Sequence, residues 1–271
     1  MNKGRQIDIM GIVNVTDDSY FAESRCDGVD AVLSRISLLL GEGADMIDIG
    51  ACSTRPGADQ IDESEEWLRL EPVLKAVSIE FPGLKLSLDT YRSTIVRKAY
   101  DVVGQFIVND ISAGEADPDM LRTVGELGLP YVAMHMRGTP KNMQTLTEYD
   151  DVTGEVVDYF KAFSTRAAAN GIKDWILDPG FGFAKTIDQN YRLLRELPRF
   201  SDVDKSDGTH PRILVGVSRK SMIYKLLNIT PEESLPATQV LHLAALQNGA
   251  DILRVHDVAE AVRTRELYRS L

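Results

Sequence analysis

Hydrophobic and polar positions follow two alternating rhythms along this chain. Short apolar runs rich in β-branched residues occupy 7–13 (IDIMGIV), 45–49 (DMIDI), 84–89 (LKLSLD), 105–110 (QFIVND), 130–135 (PYVAMH), 173–178 (KDWILD), 212–217 (RILVGV) and 251–255 (DILRV). Between them, 29–42, 64–80, 91–101, 151–170, 187–197, 233–248 and 257–268 space their apolar residues as amphipathic helices do. Eight strands alternating with helices over 271 residues, about 34 residues per unit, predict an α/β protein folded as a (β/α)8 TIM barrel. A doubly wound open sheet uses the same units and is the alternative. No Gly/Ser/Pro-rich linker divides the chain, so 1–271 is expected to form a single barrel domain, with 201–211 (SDVDKSDGTHP) a solvated loop entering strand seven.

The residues that end the runs carry the chemistry. They are Asn14, Asp48, Asp89, Asn109 with Asp110, His135, Asp178, Ser218 to Ser221, and Arg254 to Asp257. Any one acid or amide after a strand commonly caps the next helix or makes an Asx turn, and Asp89 is placed to cap a helix starting near Tyr91. Eight such endings, with acids, amides and imidazoles among them, exceed what capping needs. In a parallel barrel they share the face at the carboxyl ends of the strands, where a site for catalysis is expected.

Composition narrows the partners. The chain is 44% apolar and 26% charged, holds no apolar run near the roughly 18 residues of a membrane span, and begins with a segment (MNKGRQIDIM) unlike a signal peptide. A cytoplasmic protein is expected, in keeping with only two cysteines, Cys26 and Cys52, and no CxxC spacing. A net charge of −11 argues against nucleic acid or an anionic membrane as partner. An anionic substrate would need local Lys and Arg to overcome that field.

Blocks at every strand end, GIVNVTDDSY (11–20), ADMIDIGACSTRPGA (44–58), LSLDT (86–90), IVNDISAG (107–114), AMHMRGTP (133–140), DPGFGFAKT (178–186), LVGVSRKS (214–221) and LRVHDV (253–258), resemble the dihydropteroate synthase family, in order and across the chain. The Asp, Asn and Asp after strands three, four and six recur in the wider pterin-binding barrel superfamily, whereas STRPG, SRKS and RVH are specific to the synthases. The resemblance implies condensation of 6-hydroxymethyl-7,8-dihydropterin pyrophosphate with p-aminobenzoate, with release of pyrophosphate. It implies that Asp178, Asn109 and Lys220 read the pterin edge, and that Asp89 and Arg254 lie against the ring. The chemistry suits these types: a carboxylate accepts from amino and ring N–H groups, an amide pairs with ring nitrogens, and an ammonium donates to the oxo group. Asp89 is expected to stabilise the pterin cation left by pyrophosphate departure.

By the same resemblance Asn14, Thr54, Arg55, Arg254 and His256 take the pyrophosphate, and Asn14 offers an oxygen to Mg²⁺. Thr54, Pro56, Phe183, Lys220 and Ser221 receive aminobenzoate, its carboxylate near Ser221 and its ring beneath Phe183. The expected catalytic set is Asp89, Lys220, Arg55, Arg254 and His256. Phe181 is expected in the core, and His135 as a satisfied near-core histidine. The loops at 15–28 and 50–63 are expected to close over the substrates. Asp17, Tyr20, Ala51, Cys52 and Ala184 depart from the family pattern, all in loops. A homodimer is implied. A methyltetrahydrofolate-dependent corrinoid methyltransferase, or a paralogue that binds pterin without catalysis, would share the carboxylates and amide.

Overall fold

Eight parallel strands close into a barrel in chain order. They are β1 (Asp8–Asn14), β2 (Met46–Gly50), β3 (Leu86–Asp89), β4 (Ile107–Asp110), β5 (Tyr131–Met134), β6 (Trp175–Asp178), β7 (Arg212–Val215) and β8 (Ile252–Val255), the last pairing with β1 through Asp8↔Ile252 to Gly11↔Val255. This computed structural model describes residues 4–15, 25–52 and 61–271. Helices described around the barrel are α1 (Arg25–Gly41), α2 (Glu63–Glu80), α3 (Ser93–Val103), α4 (Met120–Leu127), α5 (Val152–Ala169), α6 (Ile187–Arg195), α7 (Ser221–Leu227), α8 (Leu235–Gln247) and α9 (Val258–Ser270). Closure decides between the two architectures the sequence allowed, in favour of the barrel. Among the described residues no helix is long and apolar enough to cross a membrane.

Successive strand side chains point to opposite sides, and the sequence uses both. One set, including Ile47, Ile49, Leu88, Val108, Tyr131, Leu177, Val215 and Val255, joins the large core shared with the helices. The other set faces inward and is layered along the axis. At the amino-terminal end Asp8 accepts from Arg212 Nη1 at 2.8 Å, Lys85 Nζ at 3.2 Å and Gln6 Nε2 at 3.1 Å, an ionic plug. Met10, Met46, Ile107, Val132, Ile176, Leu214 and Ile252 fill the middle as a separate apolar cluster. Two residues further along the strands come Asp48, Asn109, Asp178 and Arg254, so the inward face turns from apolar to polar in one step.

Helix starts are set by local chemistry. Thr186 and Gln189 form a reciprocal capping box at α6, and Asp62 caps α2 by accepting from the Glu65 amide at 2.8 Å. α3 starts at Ser93, whose amide donates to Asp117 at 2.7 Å, so Asp89 is not its cap. α4, of eight residues, has no counterpart among the predicted helices, since two turns show too little periodicity to read, whereas α7, of seven, starts at Ser221, where the SRKS block leads the sequence to expect a helix.

Candidate active site

The polar layer at the carboxyl ends is built around Asp48, which is 1% exposed. Its Oδ1 accepts from Ser87 Oγ at 2.6 Å, and its Oδ2 from Asn109 Nδ2 at 3.1 Å and Arg254 Nε at 2.7 Å. Arg254 also donates from Nη2 to Asp89 Oδ2 at 2.9 Å. One carboxylate thus orients the amide of β4 and the guanidinium of β8, and the guanidinium ties Asp89 into the same group. Asp110, next to Asn109, points the other way. It accepts from Tyr131 Oη at 2.6 Å and from the Ser112 and Gly114 amides, shaping the turn after β4.

Burial among like charges perturbs these groups. Burial pushes Asp89 up to about 7; Arg254 opposes the rise, while Asp48, Glu66 and Asp110 add to it. Asp178 is also raised by burial, against the Gly180 amide and the cations Lys220, Arg254 and Lys185. Burial would lower Arg254, but Asp48 and Asp89 more than offset it and the guanidinium stays charged. His256 is lowered to about 4 by burial and by Arg254. It is neutral near pH 7, so the ring adds no positive charge beside Arg254. Its backbone is held by Ser218 Oγ at 3.2 Å and by Arg35 Nη2 on its carbonyl at 2.8 Å.

The chain between β6 and α6 forms the rim. Asp178 Oδ1 accepts from the Gly180 amide at 2.8 Å, and Gly180 and Gly182 adopt φ of 74° and 84°, which L side chains rarely reach. A Cβ on Gly180 would meet the His135 carbonyl oxygen at 2.0 Å. Phe181 is buried in the core, as expected. Phe183 packs with Ile111, Met134, Met143 and Ala184 on the site side, its ring centroid 4.4 Å from Lys220 Nζ. Ala184 holds a φ of 50°. Behind this loop lies Lys185, 3% exposed, whose Nζ meets His135 Nδ1 at 3.0 Å and donates to the carbonyls of Gly180 at 3.0 Å and Phe183 at 3.1 Å.

Asp89, Asn109, Asp178 and Arg254 therefore converge, and Lys220 and Phe183 join them at the rim. Asn14 ends β1, partly exposed, and Ser221 begins α7 directly after Lys220. Arg219, at a φ of 53°, is clamped by Asp257 through Nε at 2.8 Å and Nη2 at 2.7 Å, which fixes the turn presenting Lys220. Thr54, Arg55 and Pro56, and the atypical Asp17 and Tyr20, lie outside the described residues. Ala51 is buried, and burial raises the Cys52 thiol to about 12, an unreactive state. Sequence reasoning placed Asp48 in the ring but assigned it no role, and missed Lys185, Asn190 and Arg219. Nothing in a lone Lys or Asn along the sequence separates a buried tie from a solvated side chain.

Residues 10–256 match the model of the pterin binding enzyme family. The chain is 40% identical over 256 residues to dihydropteroate synthase of Escherichia coli strain K12, covering 94% of this chain and 88% of that one. Among solved structures it resembles Xanthomonas albilineans dihydropteroate synthase with 4-aminobenzoic acid, with a TM-score of 0.87 and 36% identity over 98% of this chain and 93% of the other. The same enzyme in complex with 7,8-dihydropteroate superposes with a TM-score of 0.84 at 33% identity, over 100% and 95%. With its barrel, its inward polar layer and these likenesses together, this chain belongs to the pterin binding enzyme family, among the dihydropteroate synthases.

Proposed function

We propose that this chain is a dihydropteroate synthase, a transferase that joins 6-hydroxymethyl-7,8-dihydropterin pyrophosphate to p-aminobenzoate, giving 7,8-dihydropteroate and pyrophosphate. The observation that carries this reading is the convergence of Asp89, Asn109, Asp178 and Arg254 with Lys220 at one end of the barrel. Asp178 accepts from the amino and N–H edge of the pterin, Asn109 pairs with ring nitrogens, and Lys220 donates to the oxo side. Arg254 and Asp89 lie against the ring and the departing group. As pyrophosphate leaves the methylene carbon, positive charge spreads over the pterin, and ionised Asp89, already fixed by Arg254, stabilises it without reorganising. The aminobenzoate amine then attacks that carbon and gives up a proton.

Phe183 and Pro56 bound the aminobenzoate ring, with Thr54, Lys220 and Ser221 around its polar ends. Asn14, Thr54, Arg55, Arg254 and His256 receive the pyrophosphate, His256 as a neutral hydrogen-bond partner. Mg²⁺ fits beside Asn14 as an ion held mainly by phosphate. The described residues contain no group of three His, Cys, Asp or Glu side chains able to cage a metal, and a single amide oxygen suits an ion that keeps its other oxygens from substrate and water. When bound, it would neutralise charge on the leaving group. Leu226, Leu227, Val240 and Leu267, exposed on the outer helices, supply apolar surface for a homodimer, and the cytoplasm is the setting this reading implies.

The test is release of pyrophosphate from the pterin substrate with and without p-aminobenzoate, alongside detection of dihydropteroate. Release that depends on aminobenzoate is expected. Binding of pterin without release would leave a non-catalytic binder, and methyl transfer from methyltetrahydrofolate to a corrinoid would replace the reading altogether.

A further inference from the structure

Lys185 is a buried amine to which the reaction as derived gives no work. Its Nζ donates to the carbonyl oxygens of Gly180 at 3.0 Å and Phe183 at 3.1 Å and meets His135 Nδ1 at 3.0 Å; burial lowers it to about 7, and both its charged and its neutral form carry the two protons that the carbonyls take. The His135 carbonyl lies at 3.5 Å. Burial also lowers His135 well below its ordinary range, so a neutral ring shares a hydrogen bond with Lys185. Two of these three partners belong to the tight turn that carries Phe183, and the third belongs to the end of β5. The same turn is pulled from its other side by Asn190 of α6, whose Oδ1 accepts from the Gly182 amide at 2.7 Å.

We propose that Lys185 is a positioning residue for the aminobenzoate side of the site. It folds the β6–α6 turn onto the end of β5 and so sets the height of the Phe183 ring over Lys220. Phe181 in the core, the Phe183 amide on the Gly180 carbonyl at 3.1 Å and Gln144 Nε2 on the Gly182 carbonyl at 3.3 Å shape the turn, and Lys185 adds the tie between its Gly180 and Phe183 carbonyls and the end of β5. Without Lys185 Nζ, the Phe183 carbonyl loses this donor and the Gly180 carbonyl keeps only the Phe183 amide at 3.1 Å, and the turn relieves that cost by moving outward with Phe183 attached. Asn109 and Asp178 are held by their strands, and Asp178 touches the turn only at its first residue, through the Gly180 amide at 2.8 Å, so the Phe183 end moves more than the pterin edge. The effect should therefore fall mainly on aminobenzoate.

The kinetic arm rests on the functional reading above; the exchange arm does not. In Lys185→Met, which keeps length and loses every donor, KM for aminobenzoate is expected to rise about tenfold or more, while affinity for the pterin substrate changes less than about threefold. Lys185→Arg retains charge and donors and should restore part of the loss. Phe183→Ala should cost less in the Met background than in the wild type, because the ring is already displaced there. Amide hydrogen exchange of a peptide spanning 179–186 should accelerate in Lys185→Met and stay slow in the Arg variant. Should Lys185→Met not fold, the Arg variant and the exchange of its turn still decide the matter, since a turn as loose in the Arg variant as in an unfolded peptide contradicts the role. Parallel loss of pterin and aminobenzoate binding, full additivity with Phe183→Ala, or unchanged exchange in a folded Met variant would each overturn the proposal. A wild-type protein without turnover would remove the functional reading and leave the exchange result standing.

Discussion

Asp178 ends β6 with one oxygen committed to the Gly180 amide at 2.8 Å and a carboxyl held above its ordinary range by burial. Asp178→Asn replaces an acceptor with a donor facing donors, at a cost of roughly 1–3 kcal/mol, or about 5- to 150-fold in pterin affinity. Aminobenzoate affinity should hardly move. Calorimetry on a folded variant that found pterin affinity intact would remove Asp178 from the pterin edge. Asp89 makes a second prediction through pH. Its folded value is raised to about 7 from 3.8, so ionising it between those values costs folding stability, and the group's contribution declines as pH climbs from about 4 to 7. Its proposed work requires the ionised form, so kcat/KM for the pterin substrate should rise with pH through an acid limb near 7. Asp89→Asn should lower the rate and flatten that limb, as steady-state profiles from pH 5 to 9 would reveal.

At the scale of elements, α6 anchors the rim. Its first turn holds the capping box of Thr186 and Gln189, and Asn190, 2% exposed, donates to the carbonyls of Lys185 at 3.3 Å and Thr186 at 2.7 Å. Thr186→Ala removes an acceptor for the Gln189 amide and should destabilise the protein by about 1 kcal/mol in urea unfolding, with the slope unchanged. An unaltered midpoint would mean that water takes over the cap. The long helices were readable because each buries a continuous apolar stripe on the barrel. The short α4 was not, and neither was the identity of the cap at α3. A carboxylate after a strand can turn inward to the site or outward to a helix, and the strand's period of two makes that choice depend on register. Asp89 turned inward, and Asp117, 24 residues beyond Ser93, took the cap.

Over the whole molecule, the barrel interior passes from an ionic plug through an apolar plug to the polar site, and the first two need no substrate. Asp8 is raised by burial, but hydrogen bonds from Arg212 and Gln6 and the charges of Arg212 and Lys85 leave it lowered overall. The stability it contributes is present above its ordinary value of 3.8 and is lost as pH falls through the lower folded value. Asp8→Ala should cost about 2 kcal/mol of folding stability, less than for a fully buried pair because Arg212 and Lys85 are partly exposed. The kinetic constants should not change, because the apolar layer separates the plug from the site. Thermal unfolding alongside steady-state kinetics would check both halves, and a lowered kcat in a stable variant would mean that the layers communicate.

The sequence by itself determined the alternation of eight strands with helices, and the polar residues at the strand ends, because strand and helix periods are local and a buried run must end where solvent or a ligand begins. It also placed Asn109, Asp178, Lys220 and Arg254 at one end, since parallel strands share their carboxyl face. Only the tertiary structure decided that the sheet closes, that Asp48 ties Ser87, Asn109 and Arg254 together across 39, 61 and 206 residues, and that Lys185 turns inward to carbonyls. Those outcomes depend on which groups meet after closure. Burial then sets their charge, raising Asp89 and silencing His256, and no spacing along the chain encodes the distance between two side chains that meet only across the barrel.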